Sequence, residues 1–289
     1  MSVSTLHGLA PVKVGDTAIA GITATDNGVQ SDIRDEPSSG ELAARIQALV
    51  GQKVSPGFST QDLAVALAAC GALGCSLATY PLKLYAQAYG DDGRRAVNGH
   101  VQYHYQHGLL LPQSLDCHHQ ADATLSYQGL VTWDGVHDPL VITTGASLPL
   151  ISATSLWTLA TVTLAGVAVP QVKSVRINFG IRAETEGADS DIWDSKPSIS
   201  AVQPTIDVTG SRIAALLDLL GESGSCNVVF RERDDGGTFS GHTLTLAGSG
   251  MASFQKPFGA SGNRPGETTL QARLKFDGTN DPITITRNW

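Results

Sequence analysis

Trp133-Asp134-Gly135-Val136-His137-Asp138-Pro139-Leu140-Val141-Ile142-Thr143 returns 143 residues later as Phe276-Asp277-Gly278-Thr279-Asn280-Asp281-Pro282-Ile283-Thr284-Ile285-Thr286. Six of the eleven positions are identical, and Trp/Phe and Leu/Ile exchange like for like. Upstream, Asp91-Asp92-Gly93 matches Asp234-Asp235-Gly236 at the same spacing, and Asn98-Gly99-His100 matches Ser240-Gly241-His242 at 142. Three matches in one order, at nearly one spacing close to half of the 289 residues, mark an internal repeat. Nearer the N-terminus the spacing drifts, as insertions would make it. Ser59–Gly71 resembles Thr209–Gly221 at 150, and Ser31–Asp35 resembles Ser190–Asp194 at 159. The boundary falls near residues 145–150, giving expected domains over 1–147 and 148–289.

The repeated segment reads as strand, tight turn, strand. Leu125, Tyr127, Val131 and Trp133 alternate with polar neighbours, as do Leu270, Ala272, Leu274 and Phe276. Period two is the signature of a half-buried strand. Asp-Gly supplies the positive φ of a hairpin-like turn, and Asp-Pro fixes the exit. One helix per copy is expected at 59–71 and 209–221. Ser59 or Thr60 could cap the first and Gly71 end it; Ile213, Leu216, Leu217 and Leu220 give the second one apolar face. Residues 154–182 and 198–208, Val172–Phe179 among them, add strands to the second copy. The expected fold is mainly β: two tandem β-sandwich or barrel domains, each with a flanking helix.

Composition agrees. Charged residues are only 16% while Gly reaches 31, a profile of strands joined by many turns. The net charge of −8 and the lack of Lys/Arg clusters beyond Arg94-Arg95 argue against general nucleic-acid binding. Residues 1–147 hold 7 basic against 13 acidic side chains, so the first half carries most of the negative field. Cys70, Cys75, Cys117 and Cys226 form no CxxC pair, which suits a reducing place of synthesis. The start has no basic or apolar leader pattern. Leu63–Ala78, the most apolar run, is too short and Gly-rich to span a bilayer.

No GxSxG, Walker A, GxGxxG or HExxH pattern occurs, so no catalytic residues are assigned. His100, His104 and His107, with Cys117-His118-His119, have residue types that hold zinc. The second copy keeps only His242, which favours a polar strand face; no metal or cofactor is expected. Asp91-Asp92 and Asp234-Asp235 precede Gly and read as turn chemistry rather than an acid–base pair. The DGxxDP turns lack the regular oxygen series of a calcium loop.

Taken with the paired helical stretches at 59–71 and 209–221 and the DGxxDP pairs at 133–143 and 276–286, the chain resembles the tail tube (major tail) proteins of long-tailed bacteriophages. Some members carry two tube domains per chain. The resemblance implies a virion structural protein, not an enzyme, made in the host cytoplasm and stacked as rings into a tube. Subunit sheets would join edge to edge, with three chains forming a pseudo-six-fold ring. Its partners would be further copies, other tail proteins, and double-stranded DNA sliding through an acidic lumen without specific binding; no membrane is involved. Two other classes fit the same composition: another virion component (tail terminator, distal tail or decoration protein), and a tandem carbohydrate-binding β module with exposed aromatics at matched loops.

Overall fold

The computed structural model describes residues 6–37, 44–151, 155–187, 192–211, 216–233, 237–259 and 266–288. The chain is mainly β, with antiparallel strands throughout its sheets. The period-two segments bury the expected residues: Leu125, Tyr127 and Val131 in one half, Leu270, Ala272 and Leu274 in the other. Leu63–Cys70 forms the one helix that lies wholly within the described residues. It starts later than expected, because Ser59 and Thr60 end the strand Gly57–Thr60. The Thr60 hydroxyl accepts the Asp62 N–H at 3.0 Å and donates to the Ala20 carbonyl at 2.6 Å, so it steadies the approach to the helix rather than capping it. Of the second expected helix, Thr209 and Gly210 belong to the strand Thr205–Gly210, residues 212–215 lie outside the described residues, and Leu216-Leu217 are helical.

Strand order and register recur from one half to the other. Leu6 faces Tyr89 and Lys13 faces Lys83; Leu156 faces Arg233 and Thr163 faces Asn227, 150 and 144 residues further on. Strand Ile22–Asp26 pairs with Gly57–Thr60, which pairs with Thr124–Val131. In the same way Val172–Asn178 pairs with Thr205–Gly210, which pairs with Glu267–Lys275. The strands expected over 154–182 and 198–208 are present, and Leu156–Leu164 and Val172–Asn178 have counterparts in the first half. The likeness of Ser31–Asp35 to Ser190–Asp194 does not follow this register. Residues 31–35 lie on the first strand of the hairpin Val29–Pro37/Ala44–Val54, whereas Asp194 opens the second strand of the hairpin Ile181–Gly187/Asp194–Val202; residues 190–191 lie outside the described residues.

Both hairpins leave the sheet through one turn geometry. Gly28 and Gly180 have φ of +56° and +59°, and in each an added Cβ would meet a carbonyl oxygen, of Ser55 or Gln203, at 2.0 Å. Only glycine fits so close an approach at positive φ. Asp26 Oδ1 accepts the Gly28 N–H at 3.0 Å, and Asn178 Oδ1 accepts the Gly180 N–H at 2.8 Å.

The DGxxDP segments are not hairpin turns. Gly135 and Gly278 take the expected positive φ, but the strand after each turn pairs elsewhere. Val141–Thr144 lies on Val101–Tyr105, and Thr284–Asn288 lies on residues 243–247, while the preceding strands pair with Gly108–His118 and residues 249–259. Each turn thus carries the chain from one sheet region to another over a shared buried core. The halves differ along the strand that joins these regions: Phe239–Gly259 runs unbroken, but its counterpart is interrupted at Gln106-His107 between Val101–Tyr105 and Gly108–His118.

Candidate functional site

The two halves join strand to strand. Gly108–His118 of the first half accepts Val172–Asn178 of the second along its free edge. Ser114 faces Asn178, Leu115 faces Ile177, Asp116 faces Arg176 and Cys117 faces Val175. The Phe179 N–H donates to Gln113 O at 3.1 Å beyond one end, and the His119 N–H to Lys173 O at 2.7 Å beyond the other. Alternation splits the joint into two faces. Leu115, Cys117, Val175 and Ile177 are buried beneath it. On the opposite face Asp116 and Arg176 pair at 3.5 Å, and Asp207 accepts from Gln271 at 2.9 Å. Burial raises the Asp207 carboxyl above its usual range, with the Gln271 hydrogen bond and the Arg176 charge opposing.

Contacts flank the ladder on both sides. The Ala123 N–H donates to Trp157 O at 2.7 Å, and Asp122 pairs with Arg233. The second-half hairpin lies against the first half: the Gln52 N–H donates to Ile192 O at 2.7 Å and the Trp133 N–H to Asp194 O at 2.8 Å. Under that cover the Trp133 side chain is half-buried. Phe276, its counterpart in the second half, is 61% exposed. The first-half hairpin in turn exposes Val29, Ile33, Leu49 and Val50. Among the described residues, strand Ile22–Asp26 pairs on one edge only, and so do residues 253–259. These two edges are the register counterparts of Val172–Asn178 and Gly108–His118, the strands that form the internal joint.

The histidines and cysteines singled out in the sequence do not converge as one set. His100 is buried and its Nδ1 accepts the Ala88 N–H at 3.0 Å; burial lowers its pKa. His104, also lowered by burial, meets Gln106 through Nδ1 at 3.2 Å. Cys117 is buried, His118 and His119 lie at the exposed end of its strand, and all four cysteines are free thiols. His107 instead reaches the DGxxDP turn, where its Nε2 lies 3.0 Å from Asp134 Oδ2. Asp91-Asp92-Gly93 is an exposed turn, closed by the Gly93 N–H on Gly90 O at 2.9 Å; Asp234-Asp235 lies outside the described residues. The joint itself was missed, since alternation shows that a strand has a buried face but not which strand it lies beside.

No protein-family model matches the chain, and no curated protein is detectably similar to it.

Proposed function

We propose that the chain is two copies of one β domain and that copies of the chain assemble by repeating its internal joint. The observation that carries this is the pair of open edges equivalent to the two joined strands. Counted along the rows that start at the matched Gly28 and Gly180 turns, Asn178 and Ile177 correspond to Asp26 and Thr25, and Ser114 and Leu115 to Ser253 and Phe254. Chain-to-chain pairing would therefore set Ser253 opposite Asp26 and Phe254 opposite Thr25. A free sheet edge invites strand addition, and backbone bonds of this kind tie subunits firmly. The same movement brings Val29, Ile33, Leu49 and Val50 of one chain over Phe276 of the next.

A head-to-tail contact closes into a ring when its rotation allows. Three chains supply six domains, and stacked rings give a tube, the reading that the tail-tube resemblance implies. The protein is then a virion structural subunit and not an enzyme, assembled in the host cytoplasm, with the genome passing through the channel. The polar face at the internal joint presents Asp116 and Asp207 beside Arg176 and Arg273, so it holds acid and base in balance and offers passing phosphates no cationic track. Electron microscopy of the purified chain tests the proposal: rings or tubes are expected. A carbohydrate-binding module is the second reading, favoured only by the exposed Phe276; it predicts a monomer at all concentrations.

A further inference from the structure

His107, Asp134 and His137 come together where neither the fold nor the proposed assembly requires them. Asp134 Oδ1 accepts the N–H groups of Val136 and His137 at 2.9 and 2.7 Å, which closes the turn. Asp277 closes the second-half turn in the same way, at 2.8 and 2.7 Å, with Asn280 in the place of His137. The turn is therefore complete without histidine. In the first half, two imidazoles converge on the remaining oxygen: His107 Nε2 at 3.0 Å and His137 Nδ1 at 2.8 Å from Asp134 Oδ2. Their rings lie 11° from parallel with centroids 6.4 Å apart. His107 is presented by the strand break at Gln106-His107, and its own carbonyl accepts the Thr132 N–H at 3.1 Å. On the unbroken second-half strand Ala247 faces Thr284 as His104 faces Val141, and neither Ala247 nor the following Gly248 and Ser249 offers an imidazole.

We propose that these three residues bind a divalent transition-metal ion of the zinc type. The ligand atoms all lie within 4.8 Å of one another. Bond lengths of about 2.0–2.2 Å to imidazole nitrogen and carboxylate oxygen place neighbouring ligand atoms roughly 3–3.5 Å apart, close to both nitrogen–oxygen separations. The remaining closure falls to His137, whose side chain is 61% exposed. Two imidazoles and one carboxylate select zinc or its transition neighbours over calcium and magnesium, which want oxygen alone. The two backbone N–H groups on Oδ1 orient the carboxylate from behind, as outer partners of metal ligands do. The bound ion would staple the DGxxDP turn to the strand break, one residue beyond the Trp133 contact with the second half.

The test uses the full chain, stripped with a chelator and titrated with zinc(II) at pH 7.5 against a chromophoric competitor. One zinc per chain is expected. His137→Asn, which installs the second half's own residue at an exposed turn position, and His107→Gln should each weaken binding by about 100-fold or more. His118→Gln should leave it unchanged, and circular dichroism checks that each variant keeps the fold. Absence of one-to-one binding, or binding that both ligand variants leave intact, would overturn the proposal.

Discussion

His7 and Trp157 hold the same register position in the two halves, yet Trp157 is fully buried and His7 is exposed. The difference lies in what stands beside them. Trp157 sits where the second half meets the first: its carbonyl accepts the Ala123 N–H, the adjacent Thr158 hydroxyl donates to Ala121 O, and Asp122 pairs with Arg233. His7 faces no second half within its own chain. At the other end the inequality reverses: the second-half hairpin lies against Trp133, which is half-buried, while Phe276 is left 61% exposed. Equivalent positions are thus finished on the inner side of the chain and left open on its outer sides, which is the pattern expected of a repeating unit.

The largest effect expected from this comparison is in the core of the joint. Trp157→Ala should cost about 3–5 kcal/mol, as for other fully buried aromatics, whereas His7→Ala should stay within about 0.5 kcal/mol. Denaturant unfolding of the unassembled chain measures both, and equal losses would break the comparison. Trp133→Ala should cost about 2 kcal/mol, less than a full core truncation because the ring is only half-buried. Phe276→Asp should leave the stability of the single chain unchanged while abolishing sedimentation as rings or tubes. A destabilised monomer would show that Phe276 is covered after all.

A smaller, pH-dependent difference sits at the helix. Asp62 is 2% exposed, and burial pushes its carboxyl up to about 6. The second half's sequence has Arg212 at the matching position, outside the described residues. A carboxyl raised in the folded state favours folding when protonated. Its contribution is present below the unfolded value near 4 and is lost as pH rises through 6. Asp62→Asn should therefore raise stability at pH 7.5 by on the order of 2 kcal/mol and by little at pH 4. Thermal unfolding at the two values measures this, and an equal gain at both would remove burial of charge as the cause.

Much of the fold was legible because alternation and turn chemistry are local. The Asp134 and Asp277 turns, with their glycines at positive φ, could be placed from DGxxDP alone, as could the buried positions of the strands before them. What followed the turn was not local. Val141–Thr144 and Thr284–Asn288 look like return strands but pair with residues far upstream, and nothing in either segment names that partner. Trp133 and Phe276 read alike for the same reason, since their patterns match and only the neighbouring hairpin differs. The His107 cluster was hidden among better-known zinc pairings of His and Cys. The exchange of His137 for Asn280 between otherwise matched turns is the sequence signal that could have found it.

Chains that meet as the halves do can be caught by a crosslink across the ladder. Cysteines at positions 26 and 253, as Asp26→Cys and Ser253→Cys in one chain, would stand opposite each other only across the proposed chain-to-chain ladder. Mild oxidation followed by non-reducing electrophoresis, with each single variant as control, reads the outcome directly. The expected result is covalent species that grow to three chains and stop there, as a closed ring requires. A protein that remains a monomer under oxidation, or a ladder that continues past three, would contradict it.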